Sequence, residues 1–364
     1  MSKSSIKNQG SLLAINFGGI GDEILFLPTL RTIRAALPDW KVTLLLEPRS
    51  KSFSDLTDLI DSTITFDIKK KPLLPSDMLK LLNILREGRY DIVLSSGSSM
   101  MVSLLLTLSQ IPVKIGFNSN KLASTLLTRA TPLDQTVYAG RMYHSLAEGL
   151  ADLANHEVSQ GEDLFIPEIK TKTESLERMK DFFKRNDIDL ENASQNLVLI
   201  HPGTSKLATI KGIIKTWSSK NWAELIKRLS ESTLEKNTKV VLAGGPDDLE
   251  IIDEIKALTP DLNYLTASGE TKNLNDLAAL IELSDLFVCV DSAPMHLAVA
   301  LKKPVVALFG PTTPALLVPE NSLYTTIWDT SPGTRSMFDG LGVNLDIDTV
   351  FGAIEKKLSA PSLL

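Results

Sequence analysis

Three glycines and a carboxylate stand together at Gly18-Gly19-Ile20-Gly21-Asp22, directly after the apolar run Leu12–Phe17. Glycine lets a backbone approach a ligand closely, and a carboxylate at a strand-to-helix turn is where a general base would stand. Capping of the following helix is the competing role for Asp22, and position alone does not separate the two. The dinucleotide-binding fingerprint requires glycine three residues after Gly21. Ile24 stands there, so the motif is incomplete even though Glu47 closes the next strand.

A second constellation, Val290-Asp291-Ser292-Ala293-Pro294-Met295-His296, joins an apolar strand to a helix expected from Pro294, because proline suits a first helical turn. The free N–H groups and dipole of such a turn suit a diphosphate. Asp291 would repel phosphate, so its better role is to accept hydrogen bonds from the loop or from ribose hydroxyls. His296 is either a donor to phosphate or a satisfied structural histidine. Three more strand ends carry small loops. Pro202-Gly203-Thr204-Ser205 runs on through Lys206, Lys211 and Lys215 to Trp217, while Gly244-Gly245-Pro246-Asp247 and Gly310-Pro311-Thr312-Thr313 end two others. Small and hydroxyl residues followed by cations suit an anionic ligand. The triplets Asp187–Asp189 and Asp346–Asp348 resemble metal-binding carboxylate pairs, but the first falls in a linker and the second before a helix, where capping explains them.

Such loops need a scaffold that presents strand ends, and the chain alternates short β-branched runs with helical patterns from end to end. Strands are expected at Leu12–Phe17, Lys41–Leu46, Thr63–Asp67, Asp91–Ser95 and Val113–Phe117, then again at Leu197–His201, Lys239–Ala243, Leu286–Val290 and Val305–Phe309. Each is too continuously apolar for a one-sided sheet. Helices are expected between them, with Ser76 capping one that stops at Gly88 and with Asp348 capping a terminal one. At 364 residues the chain exceeds the roughly 250–300 at which one core stops growing. Two doubly wound α/β domains follow, 1–173 and 174–346, joined near Asn155–Thr173. The closing segment 347–364 is expected as a helix packing back on the first domain. Ligands of such sheets bind beyond the carboxyl ends of the strands, so a cleft faced by both domains is the expected site.

Lys and Arg number 38 against 44 Asp and Glu, which argues against a nucleic-acid-coating protein. Cys289, the single cysteine, excludes an intramolecular disulfide and a cysteine-rich zinc site, and a reducing cytoplasm fits best. The polar opening MSKSSIKNQGS and the break at Gly18-Gly19 argue against a signal peptide or a spanning helix.

In order and spacing these pieces resemble glycosyltransferase family 9, the lipopolysaccharide heptosyltransferases. The resemblance runs from Gly21-Asp22 and Leu27-Pro28-Thr29-Leu30-Arg31, through His201-Pro202-Gly203-Thr204, Lys215-Thr216-Trp217 and Gly244-Gly245-Pro246, to Val290–Ala298 and Pro304–Thr312. It implies the GT-B architecture, two Rossmann-like domains facing across a cleft. It also implies an inverting, metal-independent transfer of a sugar, usually from ADP-heptose, to a glycolipid, with no cofactor beyond the donor. Carried over by motif, Asp22 is the base and Lys215 the lysine near the donor diphosphate. Gly203, Thr204, Asp291, Ser292, Ala293 and His296 belong to the donor loops, to which Gly244, Gly245 and Gly310 are added from their strand ends. The family commonly has glycine where Ala293 stands. Gly19, Gly21 and Arg49 are assigned to the acceptor side, where Lys69-Lys70-Lys71, Lys121 and Arg129 are further cations. A lipid-linked acceptor would bring peripheral contact with the inner face of the cytoplasmic membrane. A sugar-nucleotide epimerase of the same architecture and a non-catalytic sugar-nucleotide-binding protein remain as alternatives.

Overall fold

Strands form most readily where β-branched and leucine-rich runs can be covered on both faces, and the described residues contain twelve strands in two parallel sheets. A computed structural model of the chain describes residues 9–119, 121–154, 156–157, 161–232, 236–331 and 342–359. The first eight residues of the polar opening, and Asn155 and 158–160 of the expected linker, lie outside the described residues.

The first sheet contains β1 (Ser11–Ile15), β2 (Lys41–Leu46), β3 (Ser62–Thr65), β4 (Ile92–Ser95), β5 (Val113–Phe117) and β6 (Arg129–Thr131), in the order β3-β2-β1-β4-β5-β6. The second contains β7 (Gln195–His201), β8 (Asn237–Leu242), β9 (Leu265–Thr266), β10 (Leu286–Val290), β11 (Val305–Phe309) and β12 (Tyr324–Trp328), in the order β12-β11-β10-β7-β8-β9. Both are the doubly wound order, reversing between β1 and β4 in one sheet and between β7 and β10 in the other. The register pairs Leu13 with Val93 across the first reversal and Cys289 with His201 across the second. All nine expected strands are present. The three unforeseen ones, β6, β9 and β12, lie at sheet edges and are half-buried, so they carry no continuous apolar run.

The helices that matter for the site are α1 (Ile20–Leu25), α2 (Leu27–Ala36), α3 (Pro75–Glu87), α4 (Met100–Leu108), α5 (Ala139–Ala154), α6 (Ser219–Glu231), α7 (Ala293–Ala300) and α8 (Ile347–Ser359). Helix α3 begins one residue before the expected cap. Its first turn is satisfied by Asp77, which accepts the Leu74 N–H at 3.0 Å, and Ser76 is exposed. Helix α8 is likewise started by Asp346, which accepts the Thr349 N–H at 2.8 Å, while Asp348 pairs with Arg228. The other triplet is also used by the backbone: Asp189 accepts from Glu191 N–H at 3.0 Å.

The chain divides into two compact units, Met1–Pro167 and Glu168–Leu364. The boundary falls before the expected 173 because the stretch is tethered on both sides of Pro167. Arg31 donates to the Leu164 and Ile166 carbonyls in the first unit, whereas the Ile169 N–H reaches the Ala300 carbonyl and Glu168 meets Lys302 in the second. Helix α8 commits its buried face to the second unit rather than the first. Val350 and Ile354 are fully buried in the cluster that holds Trp217, Trp222 and Leu225. The core of the first unit packs Leu81 and Leu85 of α3 and Leu105 and Leu106 of α4 on one sheet face, over Leu13, Ile15, Leu45 and Val93.

Candidate active-site loops

In the first unit the predicted base sits at the reversal point. Gly18 follows β1, and a Cβ placed on it would lie 2.1 Å from the Asp22 Cβ, so only glycine lets the loop fold onto α1. Asp22 accepts the Gly19 N–H with Oδ2 at 2.8 Å and the Tyr143 hydroxyl with Oδ1 at 3.2 Å. It therefore caps α1, as the competing role required, and the cap also fixes the carboxylate. A carboxylate accepts about four hydrogen bonds, so these two contacts orient Asp22 without exhausting it. Tyr143 comes from α5, its ring edge-on to Phe26 with centroids 5.8 Å apart. Burial, and then the Asp22 charge, push its phenol above the ordinary tyrosine range, which keeps it a donor.

Beneath this loop lies a polar layer. Asn16 donates to the Asp22 carbonyl at 3.3 Å and to Glu23 Oε2 at 3.1 Å, and it accepts from Ser96 of the β4 loop at 2.6 Å. Burial drives the Glu23 carboxyl well above the usual carboxylate range, against the pull of Asn16. Arg49 joins the group, because both its Nη2 and the Asp22 Oδ2 lie 3.8 Å from where a Gly19 Cβ would be. Its Nε is 2.7 Å from Glu47, which also meets Lys69 at 2.6 Å. Glu47, which closes β2 beside the incomplete fingerprint, is a buried anchor for two cations. Gly21 lies inside α1, where it makes no turn.

In the second unit Lys215 and Asp291 find each other. The ammonium is 2.6 Å from Asp291 Oδ2, which also accepts the Thr312 hydroxyl at 2.5 Å. Asp291 is buried and Lys215 mostly so. The sequence offered the loop or ribose hydroxyls as donors to Asp291, and within the chain its donors are the Lys215 ammonium and the hydroxyl of Thr312, from the loop after β11. Such a pair places one cation at the end of β10, with its remaining N–H donors free to meet another anion. Helix α7 begins with Ala293, after Ser292 in extended conformation. Its first turn is a narrower anion cradle than expected, because Pro294 has no N–H and the Met295 N–H turns back to the Ser292 carbonyl at 3.0 Å. His296 is buried on the same turn.

Gly203, Gly244 and Gly245 converge on one side chain that sequence reasoning missed, Asp248. A Cβ on Gly203 would lie 2.0 Å from its Oδ1, and one on Gly244 would be 2.9 Å from its Cβ. The Gly245 N–H donates to Oδ2 at 2.8 Å. The glycines at 203 and 244 thus answer to packing around this carboxylate. His201 Nε2 stands 3.4 Å from the same oxygen, its pKa lowered by burial against the pull of Asp248. Thr204, half-buried, continues the loop, and Gly310 receives the Trp328 indole N–H on its carbonyl at 3.0 Å. Tyr143 is hidden in the sequence because it acts on Asp22 from 121 residues away, and Asp248 because part of its packing is against Gly203, 45 residues away; Thr312, named with its loop, shows its partner Asp291 only in the folded chain. Among the described residues no group of three or more His, Cys, Asp or Glu could hold a metal.

Comparison with known proteins gives a family and a fold. Residues 78–337 match the family model of glycosyltransferase family 9 (heptosyltransferase). Lipopolysaccharide heptosyltransferase 3 of Escherichia coli is 27% identical over 300 residues, covering 80% of this chain and 81% of that one. The crystal structure of a family 9 glycosyl transferase from Veillonella parvula superposes with a TM-score of 0.72 at 22% identity, over 97% of this chain and 99% of the other. E. coli heptosyltransferase WaaC, solved with ADP-2-deoxy-2-fluoro heptose, gives 0.66 at 19% identity, over 95% and 99%. At these identities the structures speak for the fold, which is GT-B.

Proposed function

We propose, from the premise that this chain belongs to glycosyltransferase family 9, the heptosyltransferases, that it moves heptose from ADP-heptose to a hydroxyl of a lipopolysaccharide-type glycan. The transfer inverts the anomeric centre and uses no metal and no cofactor beyond the donor. In this reading the second unit binds the donor and the first supplies the base. Asp22 takes the proton from the acceptor hydroxyl as its oxygen bonds to the anomeric carbon and the bond to the diphosphate breaks. Lys215, held by Asp291, which in turn accepts the Thr312 hydroxyl, offsets the charge growing on the departing diphosphate, with the first turn of α7 and the Gly203-Thr204 loop as its neighbours in the donor site. Gly19, Arg49 and the cations around them face the acceptor. A lipid-linked acceptor places the work at the inner face of the cytoplasmic membrane.

The observation that carries this reading is the Asp22 carboxylate, fixed by an amide and a phenol at the sheet's reversal point, where such folds put their chemistry. The ADP-2-deoxy-2-fluoro heptose bound by WaaC supports ADP-heptose as the first donor to try. The test incubates the protein with ADP-, GDP- and UDP-sugars and follows its melting temperature, then assays the stabilising donor with and without a saccharide acceptor. Sugar transfer only with acceptor present is expected. Isomerisation of the free nucleotide sugar would favour the epimerase alternative, and binding without turnover would reduce the protein to a carrier.

A further inference from the structure

We infer that the α3–α4 face of the first unit docks onto an anionic lipid bilayer, an inference that rests on the acceptor being lipid-linked. Of the ten large apolar side chains that are exposed among the described residues, seven fall between Leu73 and Leu108. On α4 the exposed ones are Met100, Met101, Leu104 and Leu108, at helical spacing, and Leu79 of α3 and Leu74 just before it extend the set. Exposure of these six runs from 44% to 60%, which a solvated helix face does not need and a membrane interface rewards.

Both helices lie on the same face of the sheet, because their inward residues share one cluster over Leu13 and Val93. The Arg86 guanidinium of α3 also donates to the Leu108 carbonyl at 2.8 Å, tying the two ends together. Their outward sides therefore look the same way. The set is not a groove for a peptide but a row of protruding tips on two neighbouring helices, and α4 starts from the loop whose Ser96 contacts Asn16 beneath Asp22.

Charge identifies the occupant. Residues 68–133 contain nine Lys and Arg against three Asp and Glu, a formal +6, and no acidic residue occurs between Asp91 and Asp134. The rest of the unit, through Pro167, has eight cations and fourteen acids, a formal −6. Lys70, Lys71 and Lys80, all exposed, flank the apolar tips. Apolar tips beside excess cations match a bilayer with anionic headgroups, which attract lysine while the acyl region takes leucine and methionine. A protein partner would have to supply both an apolar surface and acids, and a second copy would set exposed lysines against exposed lysines.

The experiment is flotation of the full chain with vesicles of phosphatidylcholine containing about one-third phosphatidylglycerol, against phosphatidylcholine alone. Flotation with the anionic vesicles, weakened by salt, is expected for the wild type. Met101→Gln with Leu104→Gln should weaken it by about tenfold while leaving transfer to a delipidated, soluble acceptor unchanged. Lys70→Glu with Lys71→Glu provides a second route should the first pair fail to fold. Absence of flotation by the wild type, wild-type flotation of both variants, or a dimer by sedimentation that Met101→Gln dissolves would each overturn the inference. Failure of the functional reading looks different: a chain that floats but transfers no sugar to a soluble acceptor.

Discussion

The two reversal loops occupy equivalent places in sheets of the same strand order, yet they are built with opposite charge. In the first unit a carboxylate, Asp22, is held by neutral donors, a backbone N–H and the Tyr143 hydroxyl. In the second a cation, Lys215, is held by a buried carboxylate and, through it, by Thr312. One unit thus presents a carboxylate and the other an ammonium, and the surrounding layer differs to suit. A neutral phenol leaves Asp22 its charge, while Asp291 spends part of the lysine's. The lesson is that duplicated topology sets the place of a functional group and leaves its sign to a few side chains.

Asp22→Asn is the strongest way to break the comparison. The Gly19 N–H retains an acceptor, so the loop should fold, yet turnover should fall by about 10²-fold or more with donor affinity near wild type. Single-turnover kinetics beside calorimetric titration of donor would show this, and unchanged turnover would remove Asp22 as base. Lys215→Ala should act on the other side of the contrast, weakening donor binding by about 1.5–3 kcal/mol through loss of a charge-assisted contact. Equal affinity in the same titration would leave Lys215 a purely structural partner of Asp291.

Gly203→Ala tests whether packing on Asp248 explains that glycine. With a Cβ only 2.0 Å from Oδ1, the variant should lose about 1–3 kcal/mol of stability in a denaturant melt. Full stability with lost donor binding would return Gly203 to ligand approach. Tyr143→Phe sharpens the account of the base by deleting one donor and keeping the ring against Phe26. Turnover should drop several-fold, on the scale of about 0.5–1.5 kcal/mol for one hydrogen bond, with the fold intact by circular dichroism.

The smallest effect concerns pH. Burial depresses the pKa of His201 in the folded chain below the value near about 6.5 of an unfolded imidazole. Stability is therefore complete above that value and declines as pH falls below it, where the unfolded chain takes up a proton that the folded chain resists. His201→Gln should flatten the dependence of melting temperature on pH in the acid range, with His144, depressed in the same direction by burial, supplying what slope remains. An unaltered slope would show that the Asp248 contact keeps His201 from contributing.

Local chemistry determined much of this protein. Continuous apolar runs marked the eight inner strands, since a parallel sheet covered on both faces leaves no polar alternation to obscure them, and the edge strand β3 was legible with them. Glycine at 18, Pro294 in the first turn of α7 and the cation at 215 were legible because each meets a local demand: close approach, a helix start, a charge beside a strand end. Tertiary structure decided the partnerships. That Tyr143 would serve Asp22, that Asp291 would meet Lys215 and Thr312, that Asp248 would sit under two glycine loops and that α8 would bury its face in the second unit all depend on elements meeting after folding. A side chain's type states what it can bond to, and only the packed chain brings one of the many possible partners within 3 Å.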